Sequence, residues 1–273
     1  ILQVLNELYD RLAVDDSYKI ARPGFSLQKI SFRVVVKPNG ELFEIQDVRV
    51  QEGKRLRSRQ LMVPGTNKPP GQGINPCLLW DNTGYMLGYK PDDKKPERTA
   101  STYAAFRERH LAMEEEIGSA RFSAVCRFLE NWEPDQADAH PVLAEVATGF
   151  GVFRVLGDPT DVHEDNAVRT WWESHSDVAE DLPPGQCLVT GDKGAISRLH
   201  PKIKGVAGGK SEALIVSFNE SSYESYGKDQ SFNSPVSPLA SFRYGTALNA
   251  LLDGPMSPRH RVLIGDTTVV FWT

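Results

Sequence analysis

Residues 26–51 constrain the fold most. Residues 26–36 alternate towards a β-branched run that ends at Lys37-Pro38-Asn39-Gly40, and residues 41–51 supply the return run. Asn-Gly between two such runs is a strong hairpin signal, because both residues tolerate positive φ. Antiparallel sheet is therefore expected in the first hundred residues. Helical spacing dominates elsewhere. Leu2, Leu5, Leu8, Tyr9 and Leu12 predict an amphipathic helix over 1–13. Phe122, Val125, Phe128 and Leu129 do the same within 119–132.

Further helices are expected over 101–116, 141–148 and around Trp171-Trp172 in 165–175. Another is expected over 239–252, where Phe242, Gly245, Leu248, Asn249 and Leu252 recur at spacings of three and four. Paired Trp suits packing better than base stacking. Strands are expected at 77–80, 85–89, 151–156 and 213–218, with a turn at 81–84. Gly265-Asp266 turns a last pair of apolar strands. The second of these is uncharged, so further polypeptide or a partner is expected to cover it. The pattern gives an α+β fold of antiparallel hairpins with a helical, acidic insertion. Its parts are a β-rich basic segment (1–100), the insertion (101–175), and a segment of basic loop, strand, helix and hairpin (176–273).

Several function classes are excluded. In 273 residues no stretch approaches the ~18 uncharged apolar residues of a membrane span. The opening residues, with Glu7 and Asp10 and no basic start, do not read as a signal peptide. Cys77, Cys126 and Cys187 are few, distant and without a CxxC pair, which points to buried thiols in a reducing cytoplasm. GxSxG, HExxH, GxGxxG before a helix and paired metal-ligand spacings are missing. His163-Glu164-Asp165 are adjacent residues that do not converge on one ion, and His140 and His200 precede proline as turn residues do. No catalytic residue, metal or cofactor is expected.

The net charge of −5 hides an asymmetry. Residues 19–68 hold eleven Lys/Arg against four Asp/Glu, whereas residues 108–181 hold five against seventeen. One basic and one acidic face are expected. Lys54, Arg55, Arg57 and Arg59 cluster; strand alternation would place the three arginines on one side, suiting either a bound anion or an edge strand guarded by charge. Residues 62–75 carry Pro69, Pro70, Gly71 and Gly73, which force an exposed loop. It bears Asn67, Lys68, Gln72 and Asn75, donors suited to base edges or phosphates. A second basic loop holds Lys193, Arg198, Lys202, Lys204 and Lys210, broken by Gly205, Gly208 and Gly209. Beyond it, Tyr223, Tyr226, Lys228, Gln230, Phe232 and Asn233 form a polar, aromatic loop. Lysines and backbone amides beside glycines suit a polyanion; a solvated surface loop is the plainer alternative.

At Leu199-His-Pro-Lys-Ile-Lys-Gly205, Ser225-Tyr-Gly-Lys-Asp-Gln230, Asn233-Ser-Pro-Val236 and Ile264-Gly-Asp-Thr-Thr-Val-Val-Phe-Trp272, the chain resembles the large subunit of type I-C CRISPR (Cascade) surveillance complexes. Leu79-Trp-Asp-Asn82 and Gly84-Tyr-Met-Leu-Gly88 are similar to the same family. The resemblance runs end to end over the family's N-terminal half, so the family's helical C-terminal domain is expected to lie outside this sequence. It implies a non-enzymatic subunit that recognises the protospacer-adjacent motif in target double-stranded DNA and promotes strand separation for guide RNA pairing. The implied partners are target DNA, the guide RNA, the handle-binding subunit and the backbone subunits, with no membrane. Lys54, Arg55, Arg57, Arg59, Lys193, Arg198, Lys202, Lys204, Lys210 and Lys228 become phosphate contacts. Asn67, Lys68, Gln72 and Asn75 become the leading readers of an A·T-rich motif, with Gln230 and Asn233 as the alternative. The other reading is a scaffold that holds the RNA 5′ handle and a neighbouring subunit.

Overall fold

The computed structural model describes residues 1–65, 73–146, 149–175, 182–208, 213–218 and 220–273. The chain runs α1 (Leu2–Ala13), β1 (Phe25–Val36), β2 (Leu42–Asp47), β3 (Val50–Glu52), β4 (Arg55–Arg57), β5 (Arg59–Pro64), β6 (Trp80–Asn82), α2 (Thr83–Met86), α3 (Pro96–Ala112), α4 (Glu114–Ile117) and α5 (Ala120–Asn131). It continues with α6 (Val142–Val146), β7 (Phe150–Val155), α7 (Asn166–His175), β8 (Pro184–Gln186), β9 (Lys193–Ala195), α8 (Pro238–Asp253), β10 (Arg261–Ile264) and β11 (Thr267–Val270). The fold is α+β. It forms two compact units, Gly24–Asp177 and Ile1–Pro23 with Val178–Thr273. No helix among the described residues is long and apolar enough to cross a membrane.

The first unit is built on β1. One edge of β1 pairs with β7, parallel, from Ile30↔Phe150 to Val36↔Val155. Along its other edge lie β2, opposite residues 32–36, and β5, opposite residues 25–30, both antiparallel. β6 extends the sheet beyond β7. The parallel pair is a finding that the expected hairpins did not include. Phe32, Val34, Val36, Phe153 and Val155 pack with Phe106, Phe122, Val125, Phe128 and Leu129 of α3 and α5 in the main core. A smaller core joins Ile30, Val48, Val63, Trp80 and Val152. The hairpin signal holds, with a correction of detail. Lys37 N donates to Glu41 O (2.8 Å) around a three-residue loop, and Gly40 has φ +89° while Asn39 does not enter the left-handed region. A Cβ on Gly40 would also lie 2.8 Å from the backbone of α5.

Two expected strands are corrected here. Residues 83–86 are helical, because Asn82 Oδ1 accepts from Gly84 N (3.0 Å) and caps α2. Residues 77–79 are not strand, and Leu79 has φ +63°. His110, wholly buried, holds that turn: Nε2 accepts from Leu79 N (2.9 Å) and Nδ1–H donates to Phe106 O (2.7 Å). Burial pushes the His110 imidazole down to about 3. The folded chain thus requires the neutral ring, while the unfolded chain takes a proton near the ordinary value of ~6.5. The ring's contribution is complete above that value and is lost as pH falls towards 3, at about 1.4 kcal/mol per pH unit. In urea unfolding, the stability difference between wild type and His110→Gln is expected to narrow as pH is lowered from about 7 to about 4. A constant difference would mean that the folded chain takes up the His110 proton as readily as the unfolded chain.

In the second unit α1 packs on α8, with Leu5, Leu8, Tyr9 and Leu12 against Ala240, Tyr244, Ala247 and Leu251. Ser237 caps α8, accepting from Ala240 N (3.3 Å), and Pro238 follows at its first turn. The buried stripe of α8 is offset from the spacing expected: Phe242 and Leu248 are only partly buried, and Asn249 faces a loop. His200 is buried and Nδ1 meets the Tyr244 hydroxyl at 2.5 Å. The strand expected at 213–218 does not form. Its only pairing among the described residues is the bridge Ile203↔Ala213, and Leu214 and Ile215 are exposed. A strand needs a partner along its length, and the neighbouring segment offers one residue.

Candidate nucleic-acid interface

The basic cluster at 54–59 is a projecting ribbon. The chain follows the edge of β1 as far as Val48, whose N donates to Ser31 O (2.9 Å), and rejoins that edge at Arg59, opposite Ile30. Between these points β3 and β4 pair only with each other, through Val50↔Arg57, Gln51↔Leu56 and Glu52↔Arg55. Gly53-Lys54 makes the two-residue loop, with Gly53 at φ +61°, the conformation a tight hairpin needs at that position. Arg49 fixes the base, bonded to Asp47 (2.7 Å) and facing Glu145 (3.6 Å), as does Ser31 Oγ with Ser58 Oγ (2.7 Å). Every residue from Val50 to Arg57 is exposed.

Pairing places Val50, Glu52, Arg55 and Arg57 on one face of the ribbon and Gln51 and Leu56 on the other. The three arginines expected on one strand side are therefore split, with Arg55 and Arg57 on β4 and Arg59 opening β5. The ribbon supplies part of the anion that the cluster called for, since Glu52 pairs with Arg57 at 2.6 Å. Lys54, Arg55 and Arg59 have no ion pair among the described residues. Elsewhere the charge blocks recombine within the first unit: Arg33 meets Asp161 at 2.6 Å and Arg49 faces Glu145. The basic and acidic segments of the sequence are thus interleaved, which leaves the ribbon as the concentrated cationic feature of residues 24–65.

Asn67, Lys68 and Gln72 lie outside the described residues; the stems of their loop do not. On the entry side, Gly24 O accepts from both Gly65 N (2.8 Å) and Trp172 Nε1 (2.6 Å). On the exit side, Arg98 reaches Gly73 O (3.4 Å), Tyr85 OH accepts from Asn75 N (3.2 Å), and Arg109 donates to Pro76 O. Trp80 Nε1 donates to Pro64 O (2.6 Å) and so ties the two stems together. Asn75 itself is exposed. The sequence marks none of Trp80, Arg98 and Arg109 as site residues; the nearest signal is the Trp171-Trp172 pair.

The remaining candidates belong to the second unit. Lys193, Arg198, Lys202, Lys204 and Lys228 are exposed, and Lys210 lies outside the described residues. Asn249 straps the basic loop to α8, accepting from Lys204 N (2.8 Å) and donating to Lys202 O (2.9 Å). Arg261 adds bonds to Gly205 O (3.1 Å) and Leu252 O (2.6 Å). Arg198 Nη1 donates to Gln230 Oε1 (3.4 Å), bringing the basic loop to the aromatic one. Asn233 is used internally: Oδ1 accepts from Ser225 N (3.0 Å), and Nδ2 donates to Lys228 O (2.6 Å) and Gln230 O (3.0 Å). Its amide organises the loop that carries Gln230.

Among the described residues no three His, Cys, Asp or Glu side chains are grouped to hold a metal ion. His163 is buried beside Asp161, and burial lowers its pKa. Burial raises the Cys126 thiol to about 12. Burial also raises the Cys187 thiol, but hydrogen bonds from Thr190 and Ser237 outweigh it and bring it to about 7.

Among curated proteins none matches the chain. A family model described as CRISPR-associated protein (Cas_Csd1) matches residues 5–273, nearly the whole length. The chain therefore belongs to the CRISPR-associated Csd1 family, that of the large subunit of type I-C Cascade complexes.

Proposed function

We infer that this chain is a non-catalytic DNA-binding part of an RNA-guided surveillance complex, recognising the protospacer-adjacent motif in duplex DNA and promoting strand separation for guide pairing. The observation that carries the reading is the ribbon: an exposed two-stranded projection from a sheet edge, with Lys54, Arg55 and Arg59 unpaired among the described residues. Two strands alone are marginal in water. This one is braced at its base by Arg49 and Ser58, so its cations are presented to the surroundings on a fixed support. Phosphates are the ligand such cations suit, and duplex DNA offers them in a row. Beside the ribbon in sequence stands the Gly/Pro loop, whose stems are bonded to the same unit and whose amide donors suit base edges. Base readout belongs to that loop and backbone contact to the ribbon.

The test is binding of the assembled complex to motif-bearing duplex across a range of salt. Lys54→Ala/Arg55→Ala/Arg59→Ala is expected to lower the slope of log affinity against log salt by roughly two to three, because each lost phosphate contact removes about 0.9. Preference for the motif over scrambled duplex should survive. An unchanged slope, with the subunit still assembled, would remove the ribbon from DNA.

A second reading has its own support. Leu56 and Val50 are 49% and 40% exposed on the ribbon, which suits docking to a neighbouring subunit or the guide RNA handle. Under it, Leu56→Ser would release the subunit from the complex while leaving the salt slope of the remaining assembly unaffected.

A further inference from the structure

The 220–233 loop carries a feature that phosphate binding does not use. Tyr226 is 98% exposed, more than any other large apolar side chain among the described residues. It sits at the tip of a tight turn closed by Lys228 N donating to Ser225 O (3.0 Å). Both central residues are left-handed, Tyr226 at φ +53° and Gly227 at φ +67°, which makes the turn a type I′. Gly or Asn is the ordinary choice at the first of these positions, and a bulky aromatic there is strained. Gln230 is left-handed as well, at φ +46°. The strain is held in place by the three Asn233 side-chain bonds to residues 225, 228 and 230. A ring that is 98% exposed is thus kept pointing outward at a conformational cost.

We propose that Tyr226 is a stacking platform for one unpaired nucleobase, with Asn233 as its positioning residue. A base needs one π-face and a few polar groups at its edge. Lys228 and the Arg198-held Gln230 amide supply those groups beside the turn. A protein anchor would differ, because it normally sits in a cluster of apolar neighbours, and residues 220–229 other than Tyr223 and Tyr226 are polar or glycine. Glu220, Glu224 and Asp229 offset the local cations, so the contact is made to the base and not to a run of phosphates. The inference rests on the nucleic-acid reading above. The base belongs either to the guide RNA or to a DNA strand opened near the motif.

The test is photo-cross-linking in the assembled complex. 5-Iodouracil is placed at successive positions in the guide RNA in one arm, and in either target strand in the others. A cross-link to the peptide containing Tyr226 is expected in one arm, and that arm identifies the source of the base. Tyr226→Ala is expected to abolish it and to weaken binding of that strand about fivefold to a hundredfold. Tyr226→Phe should restore the binding, since it keeps the π-face. Tyr226→Asn suits a left-handed position, so it should keep or raise the melting temperature of the protein while losing the contact. No cross-link in any arm, with ribbon-dependent DNA binding intact, would overturn the stacking role without touching the DNA-binding reading. Loss of the subunit from the complex in Tyr226→Ala would overturn it in favour of a protein anchor.

Discussion

Asp161→Ala is expected to destabilise the protein by about 3–5 kcal/mol, measured by urea or thermal unfolding. The Asp161 carboxylate is 3% exposed and lies between two guanidinium groups, with Arg33 Nε at 2.6 Å and Arg154 Nε at 2.8 Å. It also accepts from the backbone of Glu164, whose own carboxylate accepts from Asp161 N (2.9 Å) in a reciprocal cap. Removing it leaves the Arg33 side chain, 12% exposed on the central strand, without its counter-charge. The desolvation already incurred by that arginine is then uncompensated, which is why breaking a buried pair costs more than the pair contributes. Arg33→Met/Asp161→Leu should recover part of the loss, because the Arg33 charge then need not be buried, while Arg154 and the Glu164 cap still lack their partner. The comparison is Glu41→Ala, which breaks the exposed Lys37–Glu41 pair and should change stability little. Equal effects at the two sites would mean that the Asp161 cluster is solvated.

That cluster marks where the sequence stops being informative. Local signals are legible: α1 follows from the spacing of its leucines, and the β1–β2 turn from Pro38-Asn39-Gly40, because both depend on neighbours along the chain. Pairings between distant segments are not. Nothing near Ile30 announces Phe150 as a parallel partner, and nothing near Arg33 announces Asp161, so the two charge blocks look like separate faces until the fold interleaves them. Local signals also mislead where one side chain decides the backbone. Tyr85 to Tyr89 reads as a strand, but Asn82 caps a helix at its start. At the candidate site the cations and the turn glycine of the ribbon are visible in residues 50–59, whereas the supports of the Gly/Pro loop come from Trp172, Arg98 and Arg109, far away in sequence. Asn233 shows the converse limit: an amide placed like a reader of bases turns out to be bonded within its own loop.

Those supports set the expectation for the loop itself. In the assembled complex, Asn67→Ala/Lys68→Ala/Gln72→Ala/Asn75→Ala should lower the preference for motif-bearing over scrambled duplex by about a hundredfold or more, since each good base contact is worth about 1–3 kcal/mol. The salt slope should fall by only about one, for Lys68. The stems are why the effect falls on readout and not on folding. Trp80 ties the stems to each other, Trp172 holds the entry and Arg109 the exit, and none of the four substitutions touches these bonds. The described stem bonds involve backbone groups and side chains other than the four substituted ones, so the substitutions change the candidate readers and not the stems. Trp172→Leu tests that link. It removes the indole bond to Gly24 O and leaves every candidate reader in place, so motif preference should drop while binding to scrambled duplex holds. Retained preference in the quadruple variant would shift readout to Gln230, whose amide is already oriented by Arg198, and would leave the Gly/Pro loop a docking element.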